Sequence, residues 1–262
     1  MPVVVQGFIW PTEMLMIASG LLAEAHTHSA VQVMVGIDAP IRVQMDGVWS
    51  EVPGVVIAPD ADHGFDGTGG TFAGGWVEAE SRLGAALMAV VDAGHEGSWI
   101  ALDPSTASAA GERLLRCRQP GTNCAQARRE WRAALGIITA DDDGEHPEPD
   151  ARLAAVFEHL RAVPSPPPSV DELCAAAHLS ESRLQHLFRD QVGVPIRRYL
   201  LWHRLLTALG ELTGGASVTA AAHAAGFADG PHFTRVAKRM TGIAPSELQA
   251  MAPVFANCRD TV

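Results

Sequence analysis

The chain has 262 residues, 47% hydrophobic and 19% charged, with 19 basic against 30 acidic side chains and a formal net charge of -11. This is ordinary globular composition, long enough for about two domains, and no run reaches the roughly 18–20 apolar residues of a bilayer span. Taken whole, the acidity argues against nucleic acid and anionic membranes as partners, while four cysteines make no disulfide framework and point to a reducing cytoplasm.

The N-terminus has no basic stretch before Glu13, so no secretory signal is expected. Residues 1–80 read as β-rich. Short Val/Ile/Met runs at 31–35, 41–45 and 54–58 are separated by turn material. Asp46-Gly47 between two such runs is a hairpin signal, because a type I′ turn needs positive φ at both central residues. Gly67-Thr68-Gly69-Gly70 marks another turn. Strands this short at this spacing suggest a barrel or sandwich. Residues 81–93 and 107–138 are rich in Ala, Leu and Arg and read as helical. In the second stretch Cys124, Ala127, Trp131, Leu135 and Ile138 form a stripe that suits packing on the barrel or on a second subunit.

Charge then divides the chain. Residues 1–149 hold 20 acidic and 8 basic side chains, whereas residues 169–262 hold 8 and 9. The boundary is punctuated by Asp141-Asp142-Asp143-Gly144-Glu145 with Pro147 and Pro149, and by Pro164-Ser165-Pro166-Pro167-Pro168. Both read as linker. Between them Leu153, Val156, Phe157 and Leu160 predict a short amphipathic helix.

From Ser169 the pattern becomes specific. Ser169-Val170-Asp171-Glu172-Leu173 opens a short helix with an N-cap and early acids. Leu179-Ser180 makes a tight turn. A second helix follows with Leu184, Leu187 and Phe188 inward, closed by Val192-Gly193-Val194-Pro195. The same grammar repeats with Val218, Ala221, Ala222 and Ala225, the turn Gly226-Phe227-Ala228-Asp229, and a helix from Gly230 to Met240. A helix from Pro195 to about Leu212 joins the two units and spans roughly 27 Å, a length that suits two recognition helices meeting major grooves about 34 Å apart.

The segments LSESRLQHLFRDQVGVPIRRYLLWHRL and AAGFADGPHFTRVAKRMTGIAPSEL resemble the double helix-turn-helix DNA-binding domain of the AraC/XylS family of bacterial transcription regulators. One departure is Ala237, where that family has a large aromatic residue. The resemblance implies outward, DNA-facing positions at Ser182, Gln185 and His186 with Arg183 and Arg189 nearby. In the second unit it implies Gly230, His232, Thr234 and Arg235 with Lys238 and Arg239 nearby. Gln reads adenine and Arg guanine by paired hydrogen bonds, and basic neighbours neutralise phosphates.

In the first domain His26-Thr27-His28, Gln32 and His63 resemble the metal-ligand pattern of cupins and of cupin-like effector domains. Residues 26, 28 and 32 would share one face of a strand. Three imidazoles and an amide suit a borderline divalent metal, and the same residues also fit a ligand pocket lined by histidines. Cys117 and Cys124 bracket a Pro-Gly turn among arginines and form a candidate redox pair, set against two inert cysteines in a helical hairpin. Cys174 reads as core and Cys258 as a free thiol in a tail.

The expected fold is therefore α+β multidomain: a cupin-like barrel with following helices and an all-α double helix-turn-helix. The expected division is 1–100 sensor, 101–140 helical hairpin for dimerisation, 141–168 linker with a short helix, 169–250 DNA-binding domain and 251–262 tail. The expected function is a cytoplasmic, homodimeric, non-enzymatic regulator of promoter DNA. It responds to a small-molecule effector, contacts RNA polymerase if it activates, and engages no membrane. The alternatives are a metal-dependent cupin enzyme with an interaction module, and a thiol-based sensor using Cys117 and Cys124.

Overall fold

A computed structural model describes residues 4–10, 12–94, 97–140, 150–162, 166–251 and 254–258. The first nine strands are β1 (Val4–Ile9), β2 (Glu13–Ser19), β3 (Leu22–His26), β4 (Ala30–Gly36), β5 (Ile41–Met45), β6 (Val48–Val52), β7 (Gly54–Ile57), β8 (His63–Asp66) and β9 (Thr71–Glu78). Helix α1 (Arg82–Ala93), strand β10 (Trp99–Ala101), and helices α2 (Pro104–Leu115) and α3 (Cys124–Thr139) follow. The hairpin at Asp46-Gly47 has φ of 50° and 79° and pairs Met45 with Val48, as its dipeptide requires.

The strands form a seven-stranded sheet ordered β10-β7-β4-β9-β2-β1-β11 and a four-stranded sheet ordered β3-β8-β5-β6, where β11 is Val254–Asn257. Strand β4 is buried on both faces, so it reads as a nearly continuous apolar run rather than an alternating one. Its Ala30 and Met34 belong to the interior cluster with Phe72 of the neighbouring β9 and Phe65 of β8 in the small sheet. Val31, Val33 and Val35 face outward against α1–α3, in a second cluster with Leu87, Leu114 and Trp131. The stripe expected in α3 is the one that packs. Its Trp131 lies so close over Gly75 that a Cβ there would come within 2.3 Å of the indole. Arg132 and Arg128 of α3 reach the buried Glu13 carboxylate, at 2.6 and 3.4 Å.

The second half is helical: α4 (Ala151–Ala162), α5 (Val170–Ala177), α6 (Glu181–Val192), α7 (Ile196–Thr213), α8 (Val218–Ala224), α9 (Gly230–Thr241) and α10 (Pro245–Ala250). Ser169 and Glu172 form the capping box of α5, and Asp229 caps α9 through the His232 N–H. Gly193 and Gly242 end α6 and α9 at φ of 81° and 70°, a conformation that favours glycine. No helix among the described residues is long and apolar enough to cross a membrane.

Two differences from the sequence reading concern the connections. The helix at 151–162 is not a free element of a linker: Leu153, Val156, Phe157 and Leu160 enter one core with Leu173, Leu184 and Phe188 of the first helix-turn-helix. The acidic run 141–149 lies outside the described residues, as do 163–165. The expected tail is in part a strand, since β11 runs parallel to β1 with Gln6 opposite Val254 and Ile9 opposite Asn257.

The two helix-turn-helix units are held differently. The first has the core just described. The second shares one apolar cluster with the barrel interior, in which Trp202, Leu205, Phe233 and Met240 pack with Met14, Met34 and Phe72. Helix α7 belongs to both clusters, and it is this helix that closes the barrel mouth.

Candidate nucleic-acid interface and barrel pocket

Amphipathic helix α6 buries Leu184, Phe188 and Val192 and leaves Ser182, Arg183, Gln185, His186 and Arg189 exposed. Gln185 donates to Glu181 at 2.8 Å, and Glu181 also pairs with Arg197 of α7 at 2.8 Å. On α9, Arg235, Lys238 and Arg239 are exposed, while His232 and Thr234 are half-buried, the His232 ring meeting Phe227 edge-on. Gly230 corrects the expectation of an outward position. It is buried at the first turn of α9, with Thr219 of α8 3.4 Å from where its Cβ would be. A Cβ there would make ordinary van der Waals contact with α8, so the position faces that helix. Ala237 is also buried, so the missing aromatic ring is absent from the core rather than from the surface.

The end of α9 leans on the barrel. The Glu24 and Thr27 N–H groups donate to the Gly242 and Arg239 carbonyls at 3.2 and 3.3 Å, and Lys238 reaches Glu24 at 3.1 Å. Helix α7 docks beside it. Arg198 pairs with Asp60 at 3.1 Å and donates to Thr27, Tyr199 bonds to Glu80, and His203 meets Glu78 at 3.1 Å. Trp202, 2% exposed, enters the mouth with its ring centre 5.3 Å from that of His28.

This rim cluster escaped the sequence reading, because Glu78 and Glu80 find their partners more than a hundred residues away. Burial, and then the neighbouring Glu78 charge, push the Glu80 carboxyl up to about 8. The folded state therefore binds a proton that the unfolded chain releases near pH 4.5. The resulting stability is complete below that pH and is lost as pH rises through about 8. In Glu80→Gln this slope disappears, and the variant gains on the order of 4 kcal/mol over wild type at the alkaline end. Urea unfolding at pH 5, 7 and 8.5 checks it.

Inside the barrel, His26, His28 and His63 each present one ring nitrogen within 4.8 Å of the others. The route differs from the expected single strand. His26 ends β3 in the small sheet, His28 lies in the crossing to β4, and Gln32 is on β4 in the large sheet. The chain changes sheets between them, and the residues still converge on the interior. Each Nδ1 lies against a backbone carbonyl two residues away: Glu24 at 2.8 Å, Ala30 at 3.0 Å and Ala61 at 3.0 Å. A carbonyl accepts only, so each Nδ1 carries the proton. Burial holds all three imidazoles neutral, lowering His26 to about 3 and His28 and His63 below their usual range. Their Nε2 atoms therefore carry lone pairs. Trp76 donates to the Nε2 of His28 at 3.2 Å. Gln32 Oε1 stands 2.9 and 2.6 Å from the Nε2 of His28 and His63. Acceptor faces acceptor there, a contact relieved by a cation that both atoms coordinate or by turning the amide to donate, with the His28 lone pair shared with Trp76. The donor set of three imidazoles and one amide oxygen fits a divalent ion of the zinc, nickel or iron type.

A cavity of about 70 Å³ adjoins His26 and Gln32. Its walls are apolar and come from both halves: Met14, Met34 and Phe72 of the barrel, Leu209, Ile243 and Leu248 of the helices.

The expected redox pair is corrected. Cys124 is bonded to Cys258, with Cα atoms 5.5 Å apart, so Cys258 is not a free thiol. Cys117 is buried and its thiol donates to the Ala127 carbonyl at 3.8 Å, while burial pushes its pKa up to about 12. It is an inert core cysteine.

Comparison with known proteins places this geometry. A family profile described as a helix-turn-helix domain matches residues 173–251, from within α5 to the end of α10. The arabinose operon regulatory protein of Escherichia coli K12 is 32% identical over 119 residues, 44% of this chain and 40% of that one. Over this C-terminal segment the chain carries a helix-turn-helix domain and is similar to a regulator of the AraC type. A probable nicotinate-nucleotide adenylyltransferase of Methylibium petroleiphilum is 35% identical over 75 residues, 27% of this chain and 35% of that one. The chain thus spans well under half the length of the curated relatives it matches. Over the whole chain, ToxT from Vibrio cholerae O395 superposes with a TM-score of 0.55 at 10% identity, covering 95% of this chain and 97% of that one. That likeness establishes the fold: an N-terminal β domain followed by helices and a C-terminal helix-turn-helix pair. A ToxT structure from strain SCE256 with bound unsaturated fatty acid superposes at 0.53 and 11% identity, covering 95% and 94%.

Proposed function

We propose that the chain is a sequence-specific DNA-binding transcription regulator whose DNA affinity is set by a small, largely apolar molecule held between barrel and helices. One observation carries this reading. The helix that joins the two recognition units, α7, is the same helix that puts Trp202 into the barrel mouth, where a shared cavity lies. An occupant of that cavity touches both halves and so has different contacts in docked and undocked arrangements, which is what shifts a population. The bound fatty acid of ToxT supports an apolar occupant, and the methionine-rich lining is adaptable enough to widen for one. In this reading the regulator works in the cytoplasm on promoter DNA, as a homodimer through 101–140, and contacts RNA polymerase if it activates.

The DNA contacts proposed are Ser182, Arg183, Gln185, His186 and Arg189 on α6, and His232, Thr234, Arg235, Lys238 and Arg239 on α9. The test is a footprint on the promoter adjoining its gene, followed by titration of that duplex at several salt concentrations. A protected site with steeply salt-dependent affinity is expected, because phosphate neutralisation releases counterions. Binding without sequence preference would overturn the reading.

A second reading concerns the barrel alone and rests on the convergence of lone pairs. We infer a divalent metal at His26, His28, Gln32 and His63, supplying a fixed positive charge to an effector's polar end. Protein purified without chelator is expected to carry about one metal per chain, lost in His63→Ala. Metal-free protein that also binds none on titration with zinc, nickel or ferrous ion would assign the amide-turned arrangement instead.

A further inference from the structure

The helical half is attached to the barrel at both ends, and the two attachments differ in reach. Three residues, 251–253, separate the end of α10 from β11, whereas ten, 140–149, lie between α3 and Asp150. At about 3.6 Å per step between neighbouring residues these reach roughly 14 Å and 40 Å. With β11 seated on β1, the second helix-turn-helix stays at the barrel mouth. With β11 released, it is free over the longer span.

Strand β11 is a short edge strand of four residues, with Phe255 packed on the interior cluster and Ala256 on the outer one. Its register on β1 is fixed by Phe255 over Gly7, where a Cβ would lie 2.1 Å from the ring. Immediately beyond, the Cys258 N–H donates to the Ile9 carbonyl at 2.8 Å, and its sulfur is bonded to Cys124, the first residue of α3. The bond joins positions 134 apart, and the ring it closes contains both helix-turn-helix units.

We propose that the Cys124–Cys258 disulfide is a reversible redox clasp that holds β11 on β1 and thereby keeps the second helix-turn-helix against the barrel. In the reduced protein Cys124 is the nucleophile, since it is half-buried at the N-terminus of a 16-residue helix, where a thiolate is favoured. Its thiolate attacks hydrogen peroxide. The O–O bond breaks, and a sulfenic acid and hydroxide form. The Cys258 thiolate then attacks that sulfur, the S–O bond breaks, the S–S bond forms and a second hydroxide leaves. The two thiol protons convert the hydroxides to water, so two thiols and one peroxide give one disulfide and two waters. A dithiol reverses it by two exchanges and ends as its own disulfide. In a reducing cytoplasm, disulfides are transient and redox-sensing rather than permanent. Opening the clasp also withdraws Phe255, which lines the cavity with Ile243 and Leu248. The mobility consequence stands without the regulator reading. A change in DNA affinity rests on it.

The full chain is treated with hydrogen peroxide or with dithiothreitol, and its cysteines are mapped while hydrogen exchange is followed by mass spectrometry. A Cys124–Cys258 peptide is expected after oxidation. Reduction is expected to raise exchange at 254–257 and at Glu24 and Thr27 by about tenfold or more, as local opening does. Cys258→Ser gives the reduced pattern in both conditions, and Cys117→Ser follows wild type. Linkage through Cys117 or Cys174, or exchange unaffected by reduction and by Cys258→Ser, overturns the clasp. Altered exchange with unaltered affinity for the footprinted duplex supports the clasp and counts against the regulator reading, so the two failures are distinguishable.

Discussion

Replacing Gln185 and Arg235 together by alanine lowers affinity for the footprinted duplex by about 2–6 kcal/mol, since each two-bond base contact contributes about 1–3 kcal/mol. The affinity for unrelated duplex falls much less. Both side chains stand on exposed faces, one on each recognition helix, and neither supports the core. Their removal is therefore expected to leave stability within about 0.5 kcal/mol of wild type. The two effects also separate by salt. Loss of the Arg235 charge reduces the slope of log affinity against log salt by about one, whereas Gln185→Ala leaves it unchanged. Competition titration of specific against unrelated duplex, repeated at three ionic strengths, reads all of these. If the double variant keeps its full preference, α6 and α9 are not the reading helices.

Trp202→Ala destabilises the chain by about 3–5 kcal/mol, the usual cost of truncating a buried aromatic. The melting temperature falls by about 10 °C for a chain of this size. Trp202 fills the mouth of the barrel against His28 and belongs to the cluster shared with Phe233 and Met240. The loss is therefore one of docking as much as of core volume. Hydrogen exchange at Glu24 and Thr27, whose N–H groups bond to α9, is expected to rise while exchange in α6 stays as it was. Trp202→Phe, which keeps a ring in the site, recovers most of the loss. A cost within about 0.5 kcal/mol, typical of surface positions, would mean that the mouth stands open in solution.

What was legible in the sequence was mostly local. Asp46-Gly47 demanded its hairpin, the stripe of α3 faced the sheet, and Ser169 and Glu172 declared a helix start, because each depends on neighbours within a few residues. Strand β11 carried no such pattern. It is Val-Phe-Ala-Asn, and what makes it a strand is β1, some 250 positions away. Cysteine connectivity was illegible for the same reason: four cysteines allow several pairings, and nearness in sequence favoured the wrong one. The histidines were found by type and spacing, although the assumed path along one strand was not the path the chain takes. The rim residues Glu78, Glu80, Tyr199 and His203 gave no signal, since each looks like an ordinary surface residue until the opposite half of the fold is in place. Gly230 shows the reverse error. The family resemblance implies an outward position, whereas packing against α8 buries it.

The unequal anchoring of the two helix-turn-helix units also bears on how such a protein can change over generations. The first unit carries its own core, so its reading face can be exchanged between relatives as a cassette with little disturbance elsewhere. The second shares its core with the barrel and its last turn with β3, and substitutions there must be tolerated by both. Under the proposed function, diversification of the recognised sequence is therefore expected to run faster in the part that α6 would read. The part that α9 would read should drift together with the barrel mouth, in paired changes across the interface.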